Sequence, residues 1–134
     1  MTIIVEKLPD EPIIVATMSE PMDFYNEMPQ MFARILELRD TIQGSPKYYC
    51  IIVMTGIQVD FGEIVFSLNE VRKTSAKRRP DLPISLHLVG AGDLFEMVAN
   101  ALSQRQYGGY AAPLHFTAEE ALAAVRAQIS ASAT

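Results

Sequence analysis

A chain of 134 residues, 49 % hydrophobic and 20 % charged, has the size and composition of one globular domain, with enough apolar material for a core without staples. Its net charge of −5 argues against a nucleic-acid-binding domain, which needs a broad positive face. No uninterrupted apolar run approaches the roughly 20 residues that span a bilayer, so a membrane-spanning chain is not expected.

The first residues, Met1-Thr2-Ile3-Ile4-Val5-Glu6, lack the basic start and long apolar core of a secretory signal. Thr2 to Val5 and Ile13 to Met18 are short and rich in β-branched residues, so both read as strands. Leu8-Pro9-Asp10-Glu11-Pro12 forms the turn between them. From Pro21 to Gln43 the period changes: Met28, Met31, Phe32, Ile35, Leu38 and Ile42 share one helical face. Pro29 lacks an amide donor, so a kink or a fresh helix start is expected there. Gly44-Ser45-Pro46 ends the helix.

Tyr48 to Met54 is apolar without alternation, as a strand covered on both faces should be. Its Cys50 is the only cysteine, so no internal disulfide can form, and a buried, inert thiol in a reducing compartment, the cytoplasm, is expected. Thr55-Gly56 stops the strand, and a second helix runs from about Phe61 or Gly62 to Ala76 on the stripe Ile64, Val65, Leu68 and Val71. Arg72, Lys73, Lys77, Arg78 and Arg79 lie within eight positions at its end, where they complement the negative end of the helix dipole. The competing reading is a specific acidic partner or a phosphate-bearing ligand.

Ile84 to Val89 is the next strand, ended by Gly90-Ala91-Gly92. A third helix begins at Asp93, expected as its cap, and Gly108-Gly109 breaks it. Leu114-His115-Phe116 is a short last strand. Thr117-Ala118-Glu119-Glu120 has the spacing of a capping box, and Leu122, Val125 and Ile129 line the last helix. Residues 1–129 thus form a single α/β domain, with 130–134 expected to be a frayed, disordered tail. The order ββαβαβαβα implies a mixed, mostly parallel sheet of about five strands flanked by about four helices.

This order resembles the STAS domain, the fold of anti-sigma-factor antagonists, and in particular its STAS/Sec14-like branch. The likeness covers nearly the whole chain. It is strongest over Ile51 to Gly62, Leu88 to Gly92 and Phe116 to Leu122. The resemblance implies a regulatory domain whose loop after the third strand, Asp-Ser-Ser-Gly or Asp-Ser-Thr-Gly, is phosphorylated by a kinase partner on the hydroxyl before the glycine. Here Asp60 and Gly62 match the ends of that motif with only Phe61 between them, so the phosphoacceptor is absent. The aspartate the family often carries early in that strand is apolar here, around Val53 or Met54.

Little else in the sequence suggests chemistry. Gly90-Ala91-Gly92 lacks the third glycine of a dinucleotide fingerprint, and Asp93 would repel an anion. His87 and His115 have no ligand partner at metal spacing, and are read as structural. The carboxylate pairs Asp10-Glu11 and Glu119-Glu120 belong to a turn and a cap. No cofactor, no metal site and no catalytic residue is assigned.

The leading expectation is therefore a non-enzymatic domain that binds a protein, or a second copy of itself. The candidate surface is Asp60, Phe61 and Gly62 together with Arg72 and Lys73, and the candidate loop at the strand ends is Thr55, Gly90 and Gly92. The alternative is a carrier of an apolar small molecule or lipid, suggested by Met18, Met22, Met28 and Met31 beside Phe24, Tyr25 and Phe32. An enzyme is the remote third reading, with its site at the strand ends near Thr55, Asp60 and Gly90.

Overall fold

The computed structural model of the chain describes residues 2–132. Five strands form one sheet in the order β1 (Ile3–Lys7), β2 (Ile13–Ser19), β3 (Tyr48–Gly56), β4 (Ile84–Val89) and β5 (Leu114–His115). β1 and β2 pair antiparallel through the turn at residues 8–12, and β2 to β5 are parallel. The parallel strands are joined by α1 (Phe24–Arg39), α2 (Phe61–Ser75) and α3 (Asp93–Leu102), and the chain ends in α4 (Ala118–Ser132). The α/β class and the order of elements are those expected from the sequence. No helix among the described residues is long and apolar enough to cross a membrane.

The two-residue period of the strands divides the core. Ile14, Ala16, Met18, Cys50, Ile52, Met54, Leu86 and Leu88 face α1, α2 and α3, meeting Phe24, Met28, Met31, Ile35, Ile64, Leu68 and Leu102. Ile13, Tyr49, Ile51, Val53 and Val89 face the other way, where α4 closes over them with Ala121 and Val125. β3 is central and covered on both sides, which is why Tyr48 to Met54 is buried at every position. Each fully buried aliphatic side chain here contributes about 1.5–3 kcal/mol of transfer free energy.

Four local expectations change. Pro29 neither breaks nor restarts α1, which is one helix from Phe24 to Arg39. Only the bond to the Tyr25 carbonyl is lost, near the helix start and on an exposed residue. The cap of α3 is Gly92, whose φ of 112° favours glycine, and Asp93 is the first helical residue with no side-chain cap bond to the helix. At α4 the Thr117 hydroxyl accepts from the Glu120 amide at 3.1 Å, but the Glu120 carboxylate reaches the Phe116 amide one residue before the cap. Finally, α4 continues through Ser132, since Ala, Gln and Ser prolong a helix at little cost. The expected tail is therefore helical over 130–132, and its last two positions, 133 and 134, lie outside the described residues.

β2 and β3 approach closely where their register shifts. A Cβ on Gly56 would lie 2.8 Å from the Met18 carbonyl oxygen, so only glycine fits opposite Ser19.

Candidate functional site

The N-terminus of α2 is fixed by a reciprocal cap. Asp60 Oδ1 accepts from the Glu63 amide at 2.7 Å, and Glu63 Oε1 accepts from the Asp60 amide at 2.9 Å. Asp60 is thereby committed to holding the helix start. The next residue, Phe61, projects outward with 64 % of its surface exposed. Val65 is one turn further along and 42 % exposed, and Arg72 recurs seven residues later on the same face.

Tyr25, 53 % exposed, widens this patch from α1: its ring stands edge-on to Phe66 with centroids 4.9 Å apart. A Cβ on Gly62 would lie 3.7 Å from the Tyr25 hydroxyl, so Tyr25 reaches over the start of α2. Arg72 and Lys73 are both exposed, and Lys73 pairs with Glu70 at 3.3 Å. Asp60, Phe61, Gly62, Arg72 and Lys73 are thus all on the exposed surface of α2, where Arg72 shares the face of Phe61 and Lys73 lies about 100° round from Arg72. This surface is apolar at the helix start and cationic towards the end.

The rest of the basic cluster is separated from that face. Arg79 bridges Asp40 at 3.2 Å and Asp81 at 2.6 Å. Arg78 donates to the Gly108 carbonyl and lies 4.7 Å from the Tyr110 ring centre. Arg39, buried at the end of α1, donates to the Lys77 carbonyl at 2.9 Å and to Asp40 at 3.1 Å. Periodicity concealed this arginine, because the i+4 spacing from Ile35 gave it a core position but no partner.

The strand-end residues differ in their surroundings. Gly90 is buried against the Phe95 ring and its amide donates to the His115 carbonyl at 2.9 Å. With Gly92 it lines a depression shared with Glu96, Asn100 and Phe116. Thr55 is exposed at the end of β3 and does not line that depression.

The sequence reading missed a polar chain beneath α4. His87 is 1 % exposed, and its Nδ1 lies 3.0 Å from Nε2 of His115, with the rings stacked. His87 Nε2 lies 3.3 Å from Ser85 Oγ, and the Ser85 hydroxyl donates to Gln128 Oε1 at 3.1 Å. One proton order satisfies every member: His115 Nε2–H to His87 Nδ1, His87 Nε2–H to Ser85 Oγ, and Ser85 O–H to Gln128. In that order Ser85 gives its proton to Gln128, away from the imidazole, and the chain ties α4 to the sheet. Burial, and after it the neighbouring His115, lowers the His87 pKa. Among the described residues no three His, Cys, Asp or Glu side chains converge where a metal ion could sit.

The methionine-rich segment is mainly core: Met18, Phe24, Met28 and Met31 are buried, Met22 and Phe32 half-buried, and only Tyr25 is exposed. Between these helices and the sheet lies an apolar cavity of about 100 Å³. Compared with protein-family models, with curated proteins and with solved structures, the chain gives no match.

Proposed function

We propose that this is a non-enzymatic, STAS-like domain that binds another protein through the exposed side of α2, in a regulatory role and without a phosphoacceptor. The observation that carries the reading is Phe61, an aromatic ring left 64 % exposed on a helix start held by a reciprocal cap. Tyr25 and Val65 extend it into an apolar patch, and Arg72 and Lys73 provide a cationic border. Rigid aromatic anchors with a polar rim are the residues that dominate protein interfaces. Phe61 occupies the position where the resemblance would put the modified hydroxyl, so recognition there depends on the ring itself.

The carrier reading calls for an apolar pocket of roughly 300 Å³ or more. The cavity under the methionines has about a third of that, room for a few heavy atoms, and the protein-binding reading is preferred.

The test begins with affinity capture of a partner from the native host, followed by titration of the purified partner against the wild type and Phe61→Asp. We expect the variant to melt like the wild type, because the ring is exposed, and to bind at least about tenfold more weakly. Equal affinity for the partner would sink the proposed surface.

A further inference from the structure

β5 is only two residues long and pairs with the far end of β4, Leu88 with Leu114 and Val89 with His115. The first half of β4 therefore has a neighbour on one side only. The Tyr48 amide donates to the Pro83 carbonyl and the Leu88 amide to the Pro113 carbonyl, so odd-numbered residues of β4 bond towards β3 and even-numbered ones towards β5. Ile84 and Leu86 consequently turn their N–H and C=O groups to an open edge, and no bond to either group from a turn or side chain is found among the described residues.

The segment that could have continued β5 downwards is drawn away. The Tyr110 amide donates to the Leu102 carbonyl at 2.7 Å, which ties this segment to the end of α3. The space left beside the β4 edge is a cleft of about 560 Å³. Ile84 and Leu86 form part of one wall, Tyr110 and Ala111 the other, and Arg39, Lys47, Arg78 and Arg79 surround it. Among the described residues no carboxylate lines the cleft. Asp40 and Asp81 outside it pair with Arg39 and Arg79, and among the described residues Arg78 and Lys47 have no acidic partner. On a chain of net charge −5, this end of the sheet is a local cationic pocket.

We propose that this cleft takes a short, extended, acidic segment of a partner protein, which adds as a strand to the β4 edge at Ile84 and Leu86 beneath Arg39, Lys47, Arg78 and Arg79. Backbone bonds to the open edge supply register and much of the affinity, as in other strand-addition complexes. Carboxylates on alternate residues meet Lys47 and Arg78, the cations that Asp40 and Asp81 leave unneutralised, which selects acidic over basic segments and speeds encounter. The groups around Phe61 take no part, so this site stands or falls independently of the surface proposed above.

The probe is a fluorescein-labelled heptapeptide alternating glutamate and valine, titrated by anisotropy against the full chain at low ionic strength. Two companion peptides replace glutamate by lysine, or keep the glutamates and N-methylate alternate amides. We expect saturable binding of the first peptide only, weakened about tenfold or more by Lys47→Glu with Arg78→Glu, and unchanged by Phe61→Asp. Amide exchange at Ile84 and Leu86 should slow in the complex. The companion peptides leave the protein unaltered, so the result does not depend on how well the double variant folds. Binding of the N-methylated peptide as tight as that of its parent, or displacement by inorganic phosphate alone, would show a simple anion site and overturn strand addition. Absence of saturable binding up to about 1 mM overturns it equally.

Discussion

His87 Nδ1 and His115 Nε2 lie 3.0 Å apart, a hydrogen bond between residues 28 positions apart that joins the buried face of β4 to the short edge strand β5. The bond needs one imidazole to offer a lone pair. Protonating both rings destroys it, and the buried ring is the costlier one to charge.

A pH dependence of stability follows. The groups facing His87 are Ser85, Gln128 and His115, none of them a carboxylate, and burial followed by His115 lowers its pKa from the ordinary value of 6.5. A folded-state pKa below the unfolded one means that the unfolded chain binds more protons as pH falls below about 6.5. Stability from this group is therefore complete above that pH and declines below it, by at most about 1.4 kcal/mol per pH unit. Glu11, Glu27, Asp40 and Asp81 have lowered pKa values and act only further down, below their ordinary 4.5 and 3.8. Urea unfolding between pH 7.5 and 5 should show the decline, and His87→Gln should flatten it whatever its overall stability. An unchanged slope in the variant rules out His87 as the source.

Asp60 is exposed, yet its carboxylate satisfies the Glu63 amide at 2.7 Å. Asp60→Ala should destabilise the domain by about 1 kcal/mol, while Asp60→Ser, which keeps an acceptor, should lose only a fraction of that. Because the cap also sets the direction of Phe61, partner affinity should fall in Asp60→Ala and largely recover in Asp60→Ser. Chemical denaturation and a binding titration of the two variants measure both effects. Equal loss in the two variants would mean that the cap bond is not the cause.

Cys50 lies on the α1–α3 side of the central strand, and burial pushes its thiol up to about 12. The native protein should resist an aromatic disulfide reagent at pH 8 and react fully once unfolded in urea, because only an exposed thiolate attacks. Prompt stoichiometric reaction of the folded chain would show that β3 opens locally or that its core is loose.

Most of the architecture was legible because it rests on periodicity. The β-branched runs of β1 and β2, the unbroken apolar run of β3 and the three-and-four spacing of Ile64, Leu68 and Val71 each report on one local environment, and these elements formed where they were expected. By contrast α3, expected to run to the Gly108-Gly109 break, ends at Leu102. Pro29 misled because its cost depends on where in the helix it falls, a matter of a single carbonyl in the first turn of α1. Asp93 misled because a glycine with φ of 112° could end the preceding turn without a side-chain cap. Phe61 was legible as an exposed ring, because it stands at a loop-to-helix position ahead of the stripe Ile64, Leu68 and Val71, and it is 64 % exposed.

By itself the sequence determined the class of fold, the covered central strand and the order of the helices, because these depend on neighbours within a few residues. The tertiary structure alone decided which distant groups meet. It brought His87 to His115, Arg39 to the Lys77 carbonyl and Tyr25 to Phe66. It also drew residues 108–111 away from β4, so that a cationic pocket stands beside an open strand edge. Those contacts arise from how helices settle on a twisted sheet, which depends on the whole core at once and on no pattern that a short window of sequence contains.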